Sequence, residues 1–349
     1  MKLLALRLDA AGDVLMCSPA LHTLASHGHR VSLLTSAAGA LAGDCIAALE
    51  SIDGVRSVLR FDAPWMKTSS ACAPETVAIA AAQLQAKQFD GAVIFTSHTQ
   101  SALPAALLCQ MAGIPLRLAH CRENPYQLLT HWVRDPEPDR FRHEVQRQLD
   151  LVATLGCDSQ DRHLQIDINH TDRIAAAGLL QSAGWPYDEP YLLLHPGASA
   201  PSRRYPAQHW RELMPLLAQH IKLPVVIAGG PAERGLAISL HAAHSRCIDV
   251  TGKTGFGVLA ALIERASVIV ACNSAPAHIA AATRTPVVVL YALTNLQHTP
   301  WQVDSRVLFQ TVSCAGCLQS ICPRQHHACL AQVHPERVLQ AVQELLALR

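Results

Sequence analysis

The sequence predicts an α/β protein made of two doubly wound parallel-sheet domains, and three observations lead there. Short leucine-rich or β-branched runs alternate with longer alanine-rich helical patterns, which is the mark of βαβ units and of a sheet covered on both faces. The alternation occurs twice, and it partly lapses between Gly156 and Pro190. The chain has 349 residues, 50% of them hydrophobic, which is enough for two cores rather than one.

In the first half the strand candidates are "LLALRL" (Leu3–Leu8), "RVSLLT" (Arg30–Thr35), "RSVLRF" (Arg56–Phe61) and "GAVIFT" (Gly91–Thr96). Helical stretches such as Thr76–Lys87 and Ala102–Met111 separate them. The middle carries "LQIDIN" (Leu164–Asn169), the helical "DRIAAAGLLQSAG" and then "WPYDEP", whose prolines and aspartate favour a linker. The expected division is therefore 1–184 and 185–330. Strands resume with "YLLLHPG" (Tyr191–Gly197), "PVVIAGG" (Pro224–Gly230), "CIDVTG" (Cys247–Gly252), "SVIVACNS" (Ser267–Ser274) and "PVVVLYA" (Pro286–Ala292). The segment 331–349 opens on Pro335 and spaces leucine and valine helically, so it reads as a terminal amphipathic helix.

A formal net charge of +1 gives no overall field to attract nucleic acid. The first apolar run is too short, and too interrupted by Arg7 and Asp9, for a signal peptide or membrane span. No later run reaches the roughly 18 apolar residues that spanning requires. The chain is expected to be cytoplasmic. Eight of the twelve cysteines lie singly among apolar neighbours and read as small core hydrophobes of a reducing compartment.

Ligands of open α/β sheets sit at the carboxyl ends of strands, so the post-strand loops are where chemistry is expected. Asp13, in "AAGDV", is either a helix N-cap or a reactive carboxylate aimed into a cleft. Ser18-Pro19 is a second helix-start signal; the helix either begins near Asp13 and kinks at Pro19, or begins at Pro19 and frees Asp13 from capping. "LHPGASAPSRRYP" (Leu194–Pro206) offers Gly197, Ser199 and Ser202 for close backbone approach, with Arg203 and Arg204 for charge. That combination suits a phosphate, although it is neither a Walker A loop nor G-x-G-x-x-G. Glu233, in "AGGPAERG", serves either ribose hydroxyls or the next helix as a cap. In "ACNSAPAHIAAA", Asn273 and Ser274 stand at a strand end before a helix whose positive N-terminus suits a pyrophosphate. His278, one turn in, is either a packed core residue or a phosphate donor.

Together these segments resemble glycosyltransferase family 9, the lipopolysaccharide heptosyltransferases. "RLDAAGDVLMCSPAL" looks like that family's opening strand and G-D-V turn; "HPGASAPSRRYPAQHW" and "GGPAER" look like its donor loops. "CNSAPAHIAAATRTPVVVLYALTNLQHTPW" looks like its D-[ST]-G-x-x-H block, the most specific of the four. The resemblance implies the GT-B architecture: two Rossmann-like domains with an interdomain cleft, acceptor on the first, nucleotide-sugar on the second, and the final helix packed back on the first. It implies inverting, metal-independent transfer of a sugar, heptose from ADP-heptose being favoured, to a glycan or lipid-linked acceptor of the cell envelope. Such an acceptor would bring the protein to the inner face of the inner membrane. Asp13 would be the general base, and Ser199, Arg203, Glu233, Asn273, Ser274 and His278 the donor-binding residues. Three departures bear on the donor: Arg203 stands for the family's lysine, Asn273 for its aspartate and Ala275 for its glycine. The rival readings are a nucleotide-sugar 2-epimerase of the same fold and a catalytically degenerate binding protein.

One motif stands apart. "CAGCLQSICPRQHHACL" holds Cys314, Cys317, Cys322 and Cys329 with His326 and His327. Its C-x₂-C start is a metal-knuckle spacing, so the alternatives are a structural zinc on the four thiolates, packed free thiols, and an iron–sulfur cluster or disulfides. No cofactor is expected in catalysis.

Overall fold

A run such as Leu3–Leu8, apolar at nearly every position, is stable only where both faces of its strand are covered, and a parallel sheet between two helical layers provides that. In a computed structural model of the chain, residues 1–46, 49, 51–52, 55–67, 73, 75–135, 142–243, 246–292 and 294–348 are described. The chain divides into two units, Met1–Asp167 and Ile168–Arg349.

The first unit contains six parallel strands, β1 (Lys2–Arg7), β2 (Arg30–Thr35), β3 (Val58–Arg60), β4 (Gly91–Ile94), β5 (Leu116–Cys121) and β6 (His131–Arg134). They lie in the order β3-β2-β1-β4-β5-β6. The second unit repeats the plan with β7 (Leu192–His195), β8 (Val225–Ile227), β9 (Cys247–Asp249), β10 (Val268–Cys272), β11 (Val287–Leu290) and β12 (Ser305–Leu308), in the order β9-β8-β7-β10-β11-β12. Each sheet is thus doubly wound, as expected. Its first strand is central, and the order reverses between that strand and the fourth: β1 with β4, β7 with β10. Loops leaving two such strands diverge to opposite faces and open a crevice at their carboxyl ends.

Two expectations are corrected. The division falls after Asp167, not after 184, because helix His170–Ser182 packs on helix Phe256–Arg265 of the second unit. Linker-like chemistry in "WPYDEP" marked a loop, and tertiary packing put the seam ahead of it. The terminal helix, Pro335–Leu346, packs on helix Ala207–His220 and on β10, β11 and β12 of the second unit rather than on the first. Its buried Val338, Val342 and Leu345 share one core cluster with Trp210, Leu213 and Leu217, so its apolar face is occupied there.

The β1 exit is held by close packing. A Cβ on Gly39, in helix Ala37–Gly43, would lie 2.0 Å from Thr35 Oγ1 and 2.8 Å from the carbonyl oxygen of Asp9. A side chain there must displace backbone. Gly39→Ala is expected to destabilise the protein by about 1–3 kcal/mol in denaturant titration; unchanged stability would show that the Asp9 loop yields freely.

Candidate active site

The β1 strand ends on Arg7, whose side chain is 0% exposed. An isolated guanidinium in such a place is prohibitively costly, so its partners define the local structure. Arg7 Nε stands 2.8 Å from Asp9 Oδ2, Nη1 donates to Glu144 Oε1 at 2.8 Å, and Nη2 donates to Asp13 Oδ1 at 3.3 Å. Burial opposes the guanidinium's charge, but Asp9 and Glu144 overcome it and hold Arg7 protonated beyond its ordinary range. Burial pushes the Asp9 carboxyl up, Arg7 pulls it down, and the charge of Asp13 adds to the rise. Gln100, in the loop after β4, donates to Asp9 Oδ1 at 2.6 Å, so the crevice between β1 and β4 is bridged by side chains.

Asp13 is not the N-cap. Helix Ala11–Met16 begins after Ala10, which provides no side-chain cap, and Asp13 lies in the first turn, where a carboxylate also suits the helix dipole. A second helix, Ser18–Ser26, follows directly with Pro19 in its first turn. Both sequence signals therefore start helices. Ser18 does not take over capping: its hydroxyl accepts from the backbone N–H of Gln165 at 2.9 Å. Asp13 remains the most open of the three carboxylates, with its side chain 24% exposed against 16% for Asp9 and 0% for Glu144.

Behind Glu144 the polar network continues into the core. Arg147 pairs with Asp135 Oδ2 at 2.6 Å and donates to the carbonyl of Thr96, while Arg142 reaches Asp135 Oδ1 at 3.1 Å. His120, on β5, donates from Nε2 to the Arg147 carbonyl at 2.9 Å. Burial, then the Arg147 charge, pushes His120 down to about 4.

In the second unit, three strand exits converge. Gly197, after β7, lies so close to Glu233 that an added Cβ would stand 2.9 Å from the Glu233 carboxyl carbon. Glu233 Oε2 accepts from the Gly230 N–H at 2.9 Å, closing a capping box over the turn Pro231–Glu233. The capping alternative for Glu233 is thus realised, and its carboxyl lies against the Gly197 loop. Ser274, after β10, donates to the Gly197 carbonyl at 3.1 Å and is the N-cap residue of helix Ala275–Thr283 without bonding that helix through its side chain. Asn273 and His278 are buried, 6% and 4% exposed. Ala275 is not among the residues with positive φ, so its replacement of glycine brings no strain. Ser199 is exposed on the loop, and Arg203, half-buried, ends the turn Pro201–Arg203. Ser202 is buried and donates to the carbonyl of Gln319 at 2.7 Å, tying this loop to the cysteine segment. Glu233 and Ser274 are therefore gathered about Gly197, whereas Ser199 and Arg203 lie further along the loop.

Cys314, Cys317, Cys322 and Cys329 line one pocket of about 400 Å³ with His326, His327 and Ser202. Among the described residues no three His, Cys, Asp or Glu side chains come together as a group able to hold a metal ion, so the four-thiolate set expected from the spacing is not assembled. The described cysteines are all free thiols, so the disulfide alternative is not realised among them. Gly316, Leu318, Gln325 and His327 all have positive φ, which bends the segment tightly around its thiols.

Two doubly wound parallel-sheet units, each with polar loops at its switch point, define a protein of two Rossmann-like domains. The chain belongs to glycosyltransferase family 9 (heptosyltransferase), whose model matches residues 78–328. It is 25% identical over 162 residues to lipooligosaccharide heptosyltransferase 2 of Campylobacter jejuni, covering 44% of this chain and 50% of that one. It is 24% identical over 277 residues to lipopolysaccharide heptosyltransferase 2 of Escherichia coli, covering 75% of this chain and 77% of the relative. The first of these matches spans about half the relative's length. The structure of E. coli ADP-heptose lipopolysaccharide heptosyltransferase II superposes over 100% of this chain and 99% of its own, with a TM-score of 0.75 at 20% identity. That likeness establishes the GT-B fold.

The His120 shift makes a pH prediction. An unfolded histidine takes up its proton near 6.5, whereas the folded one resists to about 4. Between these values the unfolded state binds more protons, so stability falls as pH drops. From pH 6.5 to 5 the loss is expected to be about 2 kcal/mol, and His120→Gln should remove that pH dependence in denaturation curves. An unchanged slope would contradict the assignment.

Proposed function

We propose that the chain is an inverting glycosyltransferase that moves heptose from a nucleoside diphosphate donor, ADP-heptose in the first instance, to a lipopolysaccharide core or related cell-envelope glycan. The observation that carries the reading is Asp13: a partly open carboxylate at the β1 switch point, anchored on a buried arginine in a family 9 chain. The donor and acceptor classes are supported by the heptosyltransferase relatives.

In this reading the acceptor hydroxyl binds at Asp13, which accepts its proton as the oxygen attacks the anomeric carbon. The bond from that carbon to the diphosphate oxygen breaks on the opposite face, so configuration inverts. Charge grows on the departing diphosphate, and Arg203 with the backbone N–H groups of the Gly197–Ser199 loop and the N-terminus of helix Ala275–Thr283 is suited to meet it. Arg203 presents a planar fork where the family's lysine presents a point charge, which suits two phosphate oxygens at once. Glu233 and Asn273 lie on the nucleoside side, and His278 backs the helix from within. A lipid-linked acceptor would bring the protein to the cytoplasmic face of the inner membrane. Among the described residues no helix is long and apolar enough to cross a membrane. A structural zinc on Cys314, Cys317, Cys322 and Cys329 would require these thiols to draw together from the positions they hold, and the reading gives them no part in transfer.

Asp13→Ala is expected to lower the transfer rate at least about 10³-fold while ADP binding stays within a factor of about two, measured by product formation and calorimetry. Retained turnover would end the base assignment. Arg203→Ala should weaken ADP binding about tenfold, or about 1.4 kcal/mol, and an unchanged Kd would remove Arg203 from the donor site. Isomerised donor formed without acceptor would point instead to an epimerase.

A further inference from the structure

A guanidinium touching a general base presents a difficulty. A full positive charge beside Asp13 stabilises its carboxylate and makes it a poorer proton acceptor. In this structure, however, Arg7 is not committed to Asp13. Its two shorter pairings, both 2.8 Å, go to Asp9 and Glu144, and the 3.3 Å contact to Asp13 is the longest of the three. Asp9 is itself fixed by Gln100 and Glu144 by Gln148, so neither carboxylate swings with substrate.

We propose that Asp9 and Glu144 are positioning residues that neutralise Arg7, so that the guanidinium holds the Asp13 carboxylate in place without depriving it of basicity. The inference rests on Asp13 being the base. Arg7 contributes one positive charge, and Asp9 with Glu144 exceeds it, so the field at Asp13 favours taking up a proton. The surroundings agree. Burial pushes the Cys17 thiol up to about 12, which leaves it uncharged at neutral pH. Arg147 stands 3.9 Å from Glu144 but is paired with Asp135, and Asp135 is shared with Arg142. Helix Ala37–Gly43, packed against helix Ala11–Met16, carries no charged residue. Nothing nearby restores the positive field that Asp9 and Glu144 remove.

The test is the pH profile of kcat/KM for ADP-heptose with a heptose-deficient lipopolysaccharide acceptor, alongside an NMR titration of the Asp13 carboxyl in the full chain. Asp9→Asn and Glu144→Gln should each move the acidic limb, and the Asp13 midpoint, about one pH unit lower. Asp9→Glu should leave both in place. A merely structural role would lower the rate without moving either. Limb and midpoint unmoved in both variants, with Asp13→Asn inactive, would overturn this inference and leave the base assignment standing. An active Asp13→Asn would overturn the base assignment and the inference with it. Should a variant fail to fold, the other carries the test, and the NMR midpoint is read without any turnover.

Discussion

The structure of the first unit turns on one buried charge. Arg7 ends the central strand of its sheet, fully enclosed, where an unpaired guanidinium would cost several kcal/mol. That cost is offset only if carboxylates approach from outside the strand, and they come from three places: the β1 exit (Asp9), the first helical turn (Asp13) and helix Glu144–Ala153 (Glu144). Satisfying Arg7 therefore fixes the course of the loop that carries the proposed base. Gly39 lets a neighbouring helix approach the same loop closely, so the carboxylate is held by packing as well as by charge. Removing one partner of such a cluster is expected to do more harm than its contribution to stability suggests, because it strands the others.

Parallel topology explains why the chemistry lies where it does. Two copies of one strand order each create a single reversal, and every proposed site residue except the cysteines follows the first, second or fourth strand of its sheet. Gly197, Glu233 and Ser274 come from three separate loops and meet because β8, β7 and β10 are adjacent. Side-chain packing against glycine and a serine-to-carbonyl bond set this arrangement before any ligand arrives, which is the preorganisation an anion site needs.

Much of this was legible in the sequence. Apolar runs gave the strands, and small residues at strand ends marked Asp13, the Gly197 loop and the Asn273–His278 block. The Arg7 cluster was not legible, because Arg7 and Asp9 looked like interruptions of an apolar run and no spacing rule links residue 7 to residue 144. A charged residue inside a strand otherwise buried on both faces is the signal that would have found it. The domain seam was missed for a similar reason: helix His170–Ser182 carries weak local preference, and its packing partner lies far along the chain. Cysteine spacing raised the expectation of a metal site, yet spacing alone does not bring thiols together in space.

The account makes Asp13 the base of a single displacement, and the stereochemistry of the product bears on that most directly. Transfer from ADP-heptose to a heptose-deficient lipopolysaccharide core, with the anomeric configuration of the new linkage read by NMR coupling, is predicted to show inversion relative to the donor. Retained configuration would require two displacements through a nucleophile that this account does not contain, and would contradict it.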